Sequence, residues 1–234
     1  MFSTLDIILP VYNESKVLKK NVMKLYNFLT NNISLDWRLV IAENGSTDST
    51  LEIAKLLSNE YPKIMVKSYQ KPGRGGAIKD CWLTSDADLV CYMDVDLSTD
   101  LESLITSLEH LISDNFDIVI GSRLLETSKV YGRSLKRDLI SRSYSKIFRI
   151  ILGTKFKDAQ CGFKLAKKHS IQETLRKVKD KGWFFDTEFL YKSQKADLRI
   201  KEIPVIWTDD RDSKVNILAT IIKDLIGLFR IKFL

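Results

Sequence analysis

The sequence has few of the residues that support disulfide, thiolate or histidine chemistry: of 234 residues, 3 are Cys and 2 are His. Cys81, Cys91 and Cys161 are odd in number and lack C-x-x-C spacing, so a disulfide framework or zinc site does not fit. Buried reduced thiols in a reducing compartment are expected. His110 and His169 both fall in stretches with helical spacing, away from loops, which argues against a Ser/His/Asp triad or a His-based metal centre. The 4 prolines and the lack of a low-complexity tract leave no visible interdomain linker. Long apolar runs are missing too. The stretch "ILATII", 217–222, falls well short of the ~20 residues that cross a bilayer, and "MFSTLDIILP" has neither the basic flank nor the cleavage pattern of a secretion signal. A cytoplasmic protein with no spanning segment is expected.

With 44% hydrophobic residues the chain can bury a large core. Charge is unevenly distributed along it. Residues 1–120 hold 11 Lys/Arg and 17 Asp/Glu, a balance of −6; residues 121–234 hold 26 and 13, a balance of +13. An acidic half suits a cation and a basic half suits an anion such as phosphate or an anionic lipid surface.

Short apolar runs alternate with amphipathic stretches through the first half. "LDIIL", "WRLVIA", "KIMVKSY", "DLVCYM" and "FDIVIG" read as strands. Residues 14–31, 49–59, 75–85 and 99–113 read as helices, with Thr99/Glu102 and Ser49/Glu52 as capping boxes. Strand followed by helix, repeated, predicts an α/β fold with a mainly parallel sheet, whose ligands bind beyond the carboxyl ends of the strands. "YNES", "ENGSTD", "PGRGG" and "DVD" all fall there. The second half predicts a helix over 135–152, a loop "KFKDAQCGFK", a helix over 169–179, an aromatic segment, a strand "LRIKEIPVIW" and an amphipathic tail.

The pair Asp94 and Asp96 ends an apolar strand. Two adjacent anions favour an intervening cation, and hard carboxylate oxygens suit Mg²⁺ or Mn²⁺ held together with substrate phosphates; a strand end followed by a helix cap explains the same three residues. Glu43 and Asn44 are candidates for contact with a base or ribose, though a turn and cap account for them equally. Arg74, in a glycine-rich loop, is a candidate phosphate or base contact. Arg123, Arg133, Arg137, Arg211 and Lys214 are cations that can converge on an anion, although charges on a helix usually face solvent.

Taken in order, "PVYNE", "ENGSTD", "GRGGAI", "DVDLST", "GSR", "RDLISRSYS", "DAQCGFK", "FFDTEFL" and "EIPVIW…DSK" resemble glycosyltransferase family 2, in particular its polyprenyl-phosphate branch. The resemblance implies a GT-A fold with a Rossmann-like sheet, a UDP- or GDP-hexose donor, a D-x-D metal site and transfer with inversion. It implies that Pro10, Tyr12, Glu14 and Asn44 contact the nucleoside, and that Asp94 and Asp96 hold metal and diphosphate. Arg123, Arg137 and Arg211 would receive the acceptor phosphate, with Lys214 beside them, and Asp158 and Gln160 would line the sugar site. "DAQCGFK" leans toward glucose and dolichyl phosphate. "ENGS" departs from the usual "DDGS", and Ser98 stands where some relatives carry a third metal contact. The expected organisation is a catalytic domain over 1–214 and an amphipathic helix over 215–234 that meets the cytosolic face of a membrane or a membrane partner subunit. Rival readings are transfer to a soluble or glycan hydroxyl and a non-catalytic nucleic-acid binder; the basic half lacks a recognisable nucleic-acid module, so no nucleic-acid partner is expected.

Overall fold

The computed structural model describes residues 2–209 and 217–233, apart from the side chains of 217–221. The alternating apolar and amphipathic pattern becomes β1 (Thr4–Val11), α1 (Leu18–Asn32), β2 (Asp36–Glu43), α2 (Thr50–Glu60), β3 (Ile64–Ser68), α3 (Arg74–Thr84), β4 (Leu89–Met93), α4 (Glu102–Ile112) and β5 (Ile118–Ser122). The later part supplies β6 (Lys129–Tyr131), α5 (Leu135–Leu152), β7 (Phe163–Lys167), α6 (Lys168–Lys177), α7 (Phe185–Lys195), β8 (Ile200–Pro204), β9 (Ile206–Thr208) and α8 (Ile217–Phe233).

Among the described residues, one sheet runs in the order β3-β2-β1-β4-β7-β5-β8, and β6 and β9 form a two-stranded ribbon beside it. The pairs β1/β2, β1/β4, β2/β3 and β5/β8 are parallel, while β7 runs antiparallel to both β4 and β5. Residues of β1 alternate between two cores, as strand geometry requires. Leu5, Ile7 and Leu9 join the side chains of α1, α2 and α4, and Ile8 joins those of α3, α5, α6 and α7. Both faces of the sheet are therefore covered, which is why its strands read as nearly continuous apolar runs.

Three expectations change here. "FKLAK", of which Phe163 and Lys164 were expected at the end of a loop and the rest had no assignment, is the fully buried strand β7. Its two lysines hid it. Lys164, fully buried, donates to the Tyr92 hydroxyl at 2.8 Å and the Cys161 carbonyl at 2.8 Å, and pairs with Asp186 at 3.0 Å. Neither capping box forms, because nearer aspartates take the roles: Asp48 accepts from the Thr50 amide at 3.0 Å, and Asp100 from the Ser103 amide at 3.0 Å. The aromatic segment is helical as α7, with Phe185 and Phe189 stacked inside the second core. The three cysteines are buried free thiols, and the histidines bond Asp114 and Ser170.

Candidate active site at the carboxyl rim of the sheet

The ends of β1, β2, β3 and β4 meet at one rim, and the antiparallel course of β7 brings the segment before it, 154–162, to the same place. The first two loops are laced together. Asn13 accepts from the Thr47 amide at 2.8 Å, the Asn13 amide donates to Ser46 at 3.0 Å, and the Glu14 amide donates to Thr50 at 2.8 Å. Gly45 has φ +70°, and a Cβ there would stand 3.0 Å from the Gln70 carbonyl, so the turn requires glycine. Tyr12 is exposed, while Pro10 is an interior residue of β1 opposite Ala42.

Two of the expected nucleotide contacts differ in character. Glu43 is buried and uses both oxygens on this turn, accepting from the Ser46 amide at 2.5 Å and from Ser68 at 2.7 Å; it shapes the loop instead of presenting a free carboxylate. Asn44 is also buried, with its amide nitrogen on the Ala42 carbonyl at 3.2 Å, but its Oδ1 has no hydrogen-bond partner among the described residues. That leaves one acceptor for which a donor is missing.

At the end of β4, Asp94 packs against Gly162, where a Cβ would lie 1.8 Å from its Oδ2. Glycine at 162 is what lets the carboxylate settle there. Arg74, expected as a phosphate or base contact, instead binds carboxylates: Asp94 at 2.7 Å and Asp186 at 2.8 Å. Its guanidinium is stacked 4.9 Å from the Tyr92 ring and 5.0 Å from the Trp183 ring. Burial alone would raise the Asp186 carboxyl, but Lys164 and Arg74 hold it below the usual range. Asp96 accepts from the Ser98 amide at 2.9 Å. Asp94, Asp96, Ser98, Thr99, Gly162 and Trp207 line one concavity. A larger one, around Tyr26, Trp37 and Lys63, lies at the opposite end of the sheet and holds none of the expected residues.

The donor set fits a divalent cation of the kind expected. Among the described residues no cluster of three or more His, Cys, Asp or Glu could cage a metal unaided. Two carboxylates lining one concavity match an ion that takes its other ligands from substrate phosphates and water.

The basic half reaches the same concavity through Trp207, whose ring lies 5.5 Å from the Arg123 guanidinium and 5.6 Å from that of Arg133. Arg123 is held by Asp158 through two bonds of 2.8 and 2.9 Å, with a third from its own amide at 2.9 Å. Asp158, expected to line the sugar site, therefore faces inward as the partner of Arg123. Burial would raise its carboxyl, but Arg123 holds it at about 2. Arg137 pairs with Asp209 and remains partly exposed. Gln160 donates to Asp224 of α8 at 2.5 Å. Arg211 and Lys214 lie outside the described residues.

Arg133 was grouped in sequence with the cations that can converge on an anion, but the resemblance gave it no role at the acceptor phosphate. Its side chain is 7% exposed; Nη2 donates to Ser141, and Asp138 stands 3.8 Å from Nη1. Nε and Nη1 have no hydrogen-bond partner among the described residues. Burial, then Arg123 and Arg137, depress its pKa to about 10. A buried cation with idle donors beside two others marks a place for an anion. The signal in sequence was its place in that cluster, four residues before Arg137.

A family model described as Glycosyl transferase family 2 matches residues 6–175. Glycosyltransferase AglD of Haloferax volcanii is 33% identical over 95% of this chain, which covers 35% of that protein. The dolichyl-phosphate beta-glucosyltransferase of Saccharomyces cerevisiae is 28% identical over 94% of this chain, which covers 71% of that protein. The chain thus spans about a third of the first relative and about seven tenths of the second. Among solved structures, glucosyl-3-phosphoglycerate synthase from Mycobacterium tuberculosis in complex with uridine diphosphate superposes with a TM-score of 0.70, at 20% identity over 97% of this chain and 79% of that one. The shared architecture is the GT-A fold. With the match extending from β1 into α6, the chain belongs to glycosyl transferase family 2, as its ordered motifs implied.

Proposed function

We propose that this glycosyltransferase moves a hexose, glucose by preference, from a sugar nucleotide to the phosphate of a polyprenyl lipid, with inversion at the anomeric carbon. One observation carries the reading: buried arginines 123 and 133 flank Trp207 at the edge of the concavity that holds Asp94 and Asp96. A carboxylate pair opposite a cluster of guanidinium groups suits two phosphate-bearing substrates meeting in one cleft. The dolichyl-phosphate glucosyltransferases among the relatives support the acceptor class and the sugar.

A phosphate monoester with its second pKa near ~6 is largely dianionic at neutral pH and already nucleophilic. No side chain has to remove a proton. The task of Arg123, Arg133 and Arg137 is to bring that dianion toward a diphosphate it repels, and Arg211 and Lys214 would add to the same field. Asp94 and Asp96 would hold Mg²⁺ or Mn²⁺, which neutralises charge on the departing nucleoside diphosphate. Arg74, fixed between Asp94 and Asp186, keeps the first carboxylate in place. The idle Asn44 Oδ1 suits an N–H of the base, either uracil N3–H or guanine N1–H.

The lipid acceptor also accounts for an apolar surface. Ile222, Ile226, Phe229 and Phe233 of α8 are 59, 64, 60 and 64% exposed, and Leu139 and Ile150 of the adjoining α5 are 67 and 73% exposed. With Lys223, Lys232 and Arg149 also outward, this surface suits the interface plane of an anionic membrane, here the cytosolic leaflet. No helix among the described residues is long and apolar enough to cross a membrane. The 215–234 segment is read as the membrane-contacting part of the protein, with a membrane partner subunit as the other candidate for this face.

The test is a transfer assay pairing labelled UDP- and GDP-sugars with short polyprenyl phosphates, with and without EDTA. The expected result is EDTA-sensitive glucosyl transfer from UDP-glucose. Transfer only to soluble hydroxyls, or steeply salt-dependent duplex binding without transfer, would overturn the reading.

A further inference from the structure

The C-terminal helix enters the sheet rim as well as presenting an apolar surface. Asp224 of α8 is 2% exposed, and its Oδ2 accepts from Gln160 Nε2 at 2.5 Å. Its Oδ1 is buried with no hydrogen-bond partner among the described residues, which is costly for a group that serves packing alone. The helix around it is tightly seated. A Cβ at Gly227 would stand 2.4 Å from the Phe184 ring, and Arg230 pairs with Glu188 at 2.7 Å and Asp180 at 3.5 Å. The segment Asp180–Phe184 that α8 grips also touches the glycine-rich loop. The Gly76 amide donates to the Lys181 carbonyl at 3.0 Å, and Trp183 stacks on Arg74.

We propose that Asp224 is a positioning residue that holds the amide of Gln160 so that its side-chain carbonyl faces the transferred sugar, making the C-terminal helix a working wall of the donor site. This rests on the expectation, carried by the family resemblance, that Gln160 lines the sugar site. With Nε2 committed to Asp224, Oε1 points the other way and is left to accept from a sugar hydroxyl. An acceptor oxygen at this position sets which end of the Gln160 amide turns away from the helix.

The measurement is donor KM and kcat, with the affinity for UDP alone in Mn²⁺ as reference, for Asp224→Ala, Gln160→Ala, the double variant and Asp224→Asn. Asp224→Ala is expected to raise donor KM about tenfold, the scale of one lost hydrogen bond, while UDP affinity stays within about twofold. Gln160→Ala should match it, and the double variant should be no worse than either, since both remove one interaction. Asp224→Asn keeps an acceptor oxygen and should restore the wild-type KM. Asp224→Val, which fills the space without accepting a hydrogen bond, replaces the alanine form if that does not fold. Unchanged donor KM in Asp224→Ala or Asp224→Val, or multiplying effects in the double variant, would overturn the role. Wild-type protein that bound UDP and no sugar nucleotide would sink the donor reading as well; wild-type donor binding that the variants leave unaltered would sink the positioning role alone.

Discussion

The two sides of the cleft are finished to different degrees. On the acidic side, Asn13, Glu43, Asp48, Arg74 and Asp94 each have a bonded partner, and single neutral oxygens of Asn44 and Ser98 are left without one among the described residues. On the basic side, Arg133 is as well buried yet keeps two idle nitrogens. The difference teaches where binding energy can be gained. The donor half is largely organised before anything binds, whereas Arg133 in the acceptor half meets its carboxylate partner Asp138 only at 3.8 Å and keeps donors that an incoming phosphate would engage.

The sharpest break should come at the carboxylate pair. Asp96→Ala is expected to lower metal-dependent transfer by on the order of 10²–10³-fold, followed by titrating Mn²⁺ against initial rate. Wild-type turnover in that variant would remove the metal from the donor half. Next is the pair that joins the two sides. Asp158→Ala strands a buried Arg123 and should cost about 3–5 kcal/mol in urea unfolding. The folded-state carboxyl near 2 lies below its ordinary value of 3.8, so this contribution is complete above about pH 4 and fades as pH falls through 2.

A smaller effect, about 10-fold in acceptor KM with donor KM unchanged, is expected for Arg133→Ala, and Arg133→Lys should recover only part of it because a lysine lacks the planar fork. Equal acceptor KM in wild type and Arg133→Ala would erase the contrast between the halves. Smallest is a pH signature at α8. Burial raises Asp224 to about 6 from 3.8, so the wild-type fold is favoured below pH 4 and loses that advantage as pH rises through 6. Asp224→Asn, which carries no charge, should raise Tm relative to wild type at pH 8 by an amount worth about 1–2 kcal/mol, and leave Tm alone at pH 4.

Much of the acidic side was legible in the sequence because it is built locally. A strand ending in Asp94 and Asp96, and Gly45 in a turn after β2, are set by residues a few positions apart. β7 was not legible, since Lys164 reads as a loop residue until Asp186 and Tyr92, distant in sequence, are brought to its ammonium. Asp158 was misread for the same reason: its partner Arg123 is 35 residues away, and only the fold turns the pair inward. Arg133 was visible as a charge, but the burial that leaves its Nε and Nη1 without hydrogen bonds depends on Trp207 and β9 arriving from the far end of the chain.

The reversed strand β7 also limits how the molecule can be divided. It lies between β4 and β5, so residues 163–167 are stitched between segments that precede them by some 45 to 75 positions. A polypeptide cut near residue 123 would leave one piece with β5 at an unfilled gap and the other with two strands, β7 and β8, that have no neighbours. Donor and acceptor halves are therefore not exchangeable modules, and neither fragment should acquire its shape until the other is present.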